Sequence, residues 1–192
     1  ELQQVWEAYR SAKGCPVYGE DPDAQQITYA QIGVPYLGGL LAIQDEAFAQ
    51  MEDKQILRAN PASVLRDCLE NHFVVGAFSR GELVGFAILY FARDTEENLV
   101  QYLGRQVEDY SVYANIKLVI VRPSHRGQGL QRELMEHLET VARERGIREL
   151  LATISPRNIH SENNFLAMGY AKVGYVEHKY GDYDRNIFAK VL

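Results

Sequence analysis

The chain has 192 residues, enough for one sizeable core, and its 46% hydrophobic and 24% charged residues are the balance of a globular protein rather than a disordered or fibrous one. A formal net charge of −6 with no basic patch argues against nucleic-acid binding and is compatible with a cationic acceptor. Apolar runs such as Leu83 to Ala92 fall well short of the ~20 residues of a membrane helix, and the two cysteines, Cys15 and Cys68, suggest neither a disulfide framework nor a zinc site.

Leu2, Val5, Trp6 and Tyr9 repeat at helical spacing ahead of Gly14, which predicts a short amphipathic helix packed on the main domain or on a second subunit of a homodimer. This segment lacks the basic start and apolar run of a secretory signal, so a reducing cytoplasm is the expected compartment. Cys15 to Gln26 is rich in Pro, Gly and Asp and reads as a loop. Residues 1–26 are therefore expected to form an extension, and 27–192 a single domain.

That domain is predicted to open with a strand over Ile27 to Gly33. A helix follows from Pro35 to about Gln50, with Leu37, Leu40, Leu41, Phe48 and Met51 on its apolar side, and Asn60-Pro61 starts a second. His72 to Ser79 and Glu82 to Phe91 are β-rich and joined at Arg80-Gly81 like a hairpin. Arg93 to Asp109 is polar and ambiguous, and Tyr110 to Val121 is strongly β-favouring up to Pro123. Leu130, Leu134, Leu138, Val141 and Ala142 share one face of a helix from about Gly129 to Arg145, stopped by Gly146. A strand over Glu149 to Ile154, a helix over Ile159 to Met168 and a hairpin of Ala171 to Lys179 with Arg185 to Leu192 complete the chain. This order implies an α/β (α+β) domain in which helices flank a mixed sheet.

The run from Ile116 to Gln131 places a buried strand, a turn with Gly127 and Gly129, and a helix start in succession. Amide N–H groups at a helix start lack intrahelical partners, and glycines let phosphate oxygens approach the backbone, so the turn suits a pyrophosphate. Such a turn can also be purely structural. A Walker A loop would need Gly-Lys-Ser/Thr where Gly129-Leu130-Gln131 stands, and a Rossmann fingerprint would need a glycine at Arg132.

Val119-x-Val121-x-Pro123-x-x-Arg126-Gly127-Gln128-Gly129-Leu130 resembles the central signature of the GNAT superfamily of N-acetyltransferases, and Asn158-x-x-Ser161-x-x-x-Phe165-x-x-x-Gly169-Tyr170 resembles its downstream segment. Gln131 departs from the small residue that usually ends the first motif, and Phe165 from the usual Tyr. The resemblance implies a mixed, mostly antiparallel sheet flanked by helices, and acetyl-CoA or another acyl-CoA as co-substrate with no metal. It implies transfer of a short acyl group to a primary amine, borne by a small molecule or a peptide, by direct attack on the thioester. It also implies that Arg126, Gly127, Gln128, Gly129, Leu130 and Gln131 hold the pyrophosphate, that main-chain groups of Val119, Ile120 and Val121 pair with the pantetheine arm, and that Asn158, Ser161 and Phe165 border the cofactor.

Each of these residues also has a plain structural reading: core strand for Val119 to Val121, helix cap for Asn158 and Ser161, packing for Phe165. A phenyl ring supplies no proton, so acid and base must come from elsewhere. Tyr170 and Tyr175 are the nearest phenols, and Glu108 or Asp109 are candidate bases, with core and solvated-loop roles as their alternatives. His72 and His125 are weighed in the same way. The acidic, aromatic turn Tyr180 to Asp184 can border a cationic acceptor or be a solvated hairpin tip. The alternative function is a non-catalytic acyl-CoA sensor or interaction module, which Phe165 keeps open.

Overall fold

The computed structural model describes residues 26–192; the helix and most of the loop expected over 1–26 lie outside the described residues. Seven strands form one sheet: β1 (Ile27–Gln31), β2 (Phe73–Ser79), β3 (Glu82–Tyr90), β4 (Tyr113–Val121), β5 (Glu149–Ile154), β6 (Ala171–Val176) and β7 (Arg185–Val191). Their order is β1-β2-β3-β4-β5-β7-β6, and each neighbouring pair is antiparallel except β4 with β5. A parallel pair needs a crossover, which a helix between β4 and β5 provides.

Among the described residues, four α-helices cover the sheet: α1 (Leu37–Ala49), α2 (Ala62–Asn71), α3 (Leu130–Glu144) and α4 (Ile159–Ala167). The apolar stripe of α3 packs with Phe165 of α4 against Ala114, Ile116 and Phe188 on one face. On the other face α1 and α2 pack Leu40, Ile43 and Leu65 against Phe86, Ile88, Leu118 and Ile120. The fold is thus the mixed sheet between helices that the element order implied, and mostly antiparallel as the resemblance implied.

Several local expectations shift. The helix placed at Pro35 begins as a 3-10 turn over Val34–Tyr36, and α1 buries Leu40, Ile43, Gln44 and Ala47, while Leu37, Leu41, Phe48 and Met51 are only partly covered. Gln44 is buried because it satisfies a backbone: its amide donates to the Asn60 carbonyl at 2.9 Å and its side-chain oxygen accepts from the Asn60 N–H at 2.8 Å. This pins the far end of the loop between α1 and α2. The ambiguous stretch before β4 contains a 3-10 turn, Leu99–Leu103, whose cap Asn98 accepts from the Val100 N–H. A further turn over Tyr110–Val112 delays β4 to Tyr113. The β2–β3 hairpin has both turn residues, Arg80 and Gly81, at positive φ, the twist that a two-residue connection favours.

One feature of β4 shapes everything that follows. Leu89 pairs with Ile116 and Ile88 with Leu118, so Lys117 is an extra residue, a bulge that bends the strand. The β4–β5 ladder runs from Tyr113↔Glu149 only to Ile116↔Ala152, the residue just before that bulge. Beyond it the two strands part.

Candidate active site

The parting leaves a cleft whose walls come from both ends of the signature. Val119, Ile120 and Val121 of β4, with Arg126, Gly127, Gly129, Leu130 and Gln131 of the turn and start of α3, line a cavity of about 580 Å³. Asn158, Ser161 and the α4 residue Asn164 complete its other wall. A hollow of about 140 Å³ continues from it through Val119, Gln131, Asn158, Ser161 and Phe165 to Tyr180 and Arg185. Gln128 lies exposed in the turn and lines neither.

Gly127 and Gly129 have φ of 76° and 82°, the left-handed region where a Cβ is strained, and the space a Cβ would occupy is open at both. Gly129 is the N-cap of α3 and offers no side-chain acceptor to the first N–H groups, which leaves them and the positive end of the helix dipole to an anion. Arg126 and Arg132 line the same cavity beside His125 and add positive charge. Ser124 Oγ lies 2.9 Å from His125 Nδ1, so the hydroxyl steadies that ring. An open, uncapped, cationic cradle of this kind fits a pyrophosphate.

Gln131, the departure from the family pattern, turns its side chain aside: its carbonyl oxygen accepts from Asn164 Nδ2 at 3.1 Å, tying α3 to α4. Asn158 caps α4 by accepting from the Ser161 N–H at 3.0 Å. Phe165 is buried against Tyr170, with ring centroids 4.9 Å apart, and one edge reaches the hollow.

None of the four proton-transfer candidates lines the cleft. Glu108 and Asp109 border a separate depression of about 930 Å³ beyond the start of β4. The nine residues of β4 separate them from the turn, about 26 Å at 3.3 Å per residue. Asp109 caps the turn before β4, and bonds from the Ser111 hydroxyl and N–H hold its carboxyl below the usual range, which makes it a weak base. Tyr170 is buried in the α3 core and donates to Glu139 at 3.0 Å; burial, then the Glu139 charge, push its phenol far up. Tyr175 stands on β6 and is about half exposed; desolvation, then its bond to Asp184, raise its pKa. His72 is likewise structural: it stacks on Tyr90, accepts from the Phe91 N–H through Nδ1, and burial lowers its pKa.

The acceptor side was less legible. Leu57, Arg58 and Asn60, from the loop between α1 and α2, close one wall, and Tyr180 and Arg185, from the β6–β7 hairpin, close the other. Tyr180 does border the cleft as the hairpin motif suggested, but Asp184 is occupied within the hairpin, accepting from the His178 N–H and the Tyr175 phenol. The charges that face the hollow there are arginines. The available signal was Arg185 itself, a cation at the start of a strand whose same-side positions are Ile187 and Ala189.

Two further ties brace the cleft. Arg122 fixes the end of β4 by donating to the Leu83 carbonyl at 3.0 Å while its guanidinium pairs with Glu46 of α1. Arg157, just ahead of α4, pairs at 3.0 Å with Asp53 in the loop opposite.

The acetyltransferase (GNAT) family model matches residues 40–170, a span that runs from within α1 through α4 and includes the parted strands and both motifs. The chain belongs to the GNAT acetyltransferase family. A comparison with curated proteins gives no match. Among solved structures, a ribosomal-protein-alanine N-acetyltransferase from Brucella melitensis is 24% identical with a TM-score of 0.66, covering 86% of this chain and 99% of that one. The Salmonella typhimurium protein yncA, solved with its cofactor acetyl-CoA, is 18% identical with a TM-score of 0.66, covering 87% and 94%. A PaiA N-acetyltransferase from Thermoplasma acidophilum in complex with coenzyme A is 14% identical with a TM-score of 0.62, covering 87% and 99%. These GNAT acetyltransferases share this chain's fold. No helix among the described residues is long and apolar enough to cross a membrane.

Proposed function

We propose that residues 27–192 form an acyltransferase domain that moves an acetyl or other short acyl group from acyl-CoA to a primary amine by direct attack on the thioester. The observation that carries this reading is the parting of β4 from β5 beside an uncapped, glycine-bearing helix start. The turn from Arg126 to Gln131 would hold the pyrophosphate on backbone N–H groups, and the open edge of Val119 to Val121 would bind the pantetheine arm as a strand binds a neighbour. Asn158 Nδ2 and the edge of Phe165 would border that arm.

Acyl-CoA supplies an activated thioester: the amine nitrogen forms a C–N bond to its carbonyl carbon, the C–S bond breaks, and the thiolate leaves. A main-chain N–H of β4 that faces the cleft would donate to the oxyanion, a contact in which the side chain plays no part. No carboxylate is among the residues lining the hollow, so the amine's surplus proton would pass to water; Phe165 has no proton to give the leaving thiolate, and the phenol that lines the hollow is that of Tyr180.

Titration with acetyl-CoA, NAD and ATP, followed by thiol release with a panel of primary amines, tests the reading. Acetyl-CoA should bind selectively and raise stability by roughly 2.7 kcal/mol at a hundred times its Kd. Thiol release should then depend on the amine. Binding with no acceptor-dependent release would favour the sensor, and NAD binding without acetyl-CoA binding would remove the assignment.

A further inference from the structure

The acceptor end of the cleft carries charge that the acyl-transfer reading does not use. Arg185 is only 4% exposed, yet it lines the hollow. A guanidinium has five N–H donors, and here Nη1 donates to the Asp184 carbonyl at 2.7 Å while the rings of Tyr180 and Tyr183 lie 5.9 and 5.2 Å away. Among the described residues no carboxylate lies within ion-pairing distance of it. Arg58 approaches from the opposite wall, its guanidinium 4.5 Å from the Tyr180 ring centroid, so two cations flank one aromatic ring. Desolvation of Arg185, and after it the Arg58 charge, depress its pKa against Tyr180, Tyr183 and Asp184, which raise it, and an anion in the hollow that both guanidinia line would relieve that cost. The third cation of the hollow, Lys117, is engaged by Glu97 and by the face of Tyr90.

We propose that Arg185 and Arg58 form an anion subsite on the acceptor side of the cleft, and that the acceptor is a small primary amine carrying a carboxylate. This assignment rests on the acyl-transfer reading above. Arginine's planar fork matches a carboxylate with two parallel hydrogen bonds, and a half-buried site strengthens such bonds. The 140 Å³ hollow has the volume of about five waters, which fits an amino acid better than a folded protein surface. With the carboxylate on the arginines, the amine of the same molecule would point back toward Val119, where β4 is open. The overall charge of −6 thus says nothing about the acceptor, because the local field at this end is positive.

The test uses the full chain, acetyl-CoA and matched acceptors: small amino acids, their carboxamides, their phosphonate analogues, and a short peptide with a free N-terminus and an amidated C-terminus. Thiol release gives kcat and KM for each. A carboxylate should be preferred over its carboxamide by at least about tenfold in kcat/KM, mainly through KM, since charge-assisted bonds of this type carry such a difference. Arg58→Gln, at an exposed loop position that does not endanger folding, should narrow that ratio toward one through KM. Arg185→Lys, which keeps the charge and loses the fork, should narrow it as well. Equal use of carboxylate and carboxamide, or a preference for the amidated peptide, overturns the subsite, and a preference for the phosphonate overturns the carboxylate as the acceptor's anion, each leaving acyl transfer intact. Acetyl-CoA binding with no thiol release for any amine sinks the acyl-transfer reading and takes this assignment with it.

Discussion

Tyr170 shows how a residue inside a recognised motif can serve the core rather than the chemistry. Its phenol donates to Glu139, which is buried and also accepts from Lys190 with both carboxylate oxygens at 2.8 Å. A hydrogen bond to a charged group contributes about 1.5–3 kcal/mol, so Tyr170→Phe should lower unfolding free energy by that much in urea while leaving kcat unchanged. A fall in kcat of about a hundredfold with the fold intact would instead restore Tyr170 as a general acid. Phe165 is the complementary case: the ring that replaces the family's phenol packs on Tyr170 and Phe188 and also lines the hollow.

At the scale of elements, the turn ahead of α3 was readable because its chemistry is local: strand, two glycines and helix start are consecutive. Gly129→Val tests it. The space for a side chain is open, so the strain of a branched residue at φ 82°, about 1–3 kcal/mol, should reshape the N-cap rather than disturb the core. Calorimetry should then find acetyl-CoA affinity reduced by more than tenfold in a folded variant; an unchanged Kd would take the turn out of the site. The bulge at Lys117 was not legible, because an extra residue in a ladder is defined only by the partner strand.

Across the whole molecule, His137 links the outer strand to the helix that carries the turn, its ring centroid 4.7 Å from that of Tyr29. Burial lowers its pKa from 6.5 to about 4. The unfolded chain therefore binds the proton at higher pH than the folded one, and stability that is present above 6.5 is lost as pH falls toward 4. Unfolding free energy should drop by on the order of 1 kcal/mol per pH unit across that window. His137→Leu should flatten the slope, which denaturation curves at a series of pH values would show; an unaltered slope would assign it to other groups.

What the sequence determined by itself was whatever depends on neighbours along the chain: the β-favouring runs that make β2 to β4, the apolar stripe of α3, the paired motifs, and the cap at Asn158. From these came the fold class and the wall proposed to hold the cofactor. The proton-transfer candidates were chosen by nearness in sequence, and the structure sets Glu108 and Asp109 beside a separate depression at the far end of β4, because a strand is rigid and extended and nearness along it becomes distance in space. The acceptor side was decided only by the tertiary structure. Arg58 comes from an irregular loop between two helices and Arg185 from the last strand, and nothing local relates them. They meet across Tyr180 because sheet order places β7 beside β5 and because Gln44 anchors the loop from below through Asn60.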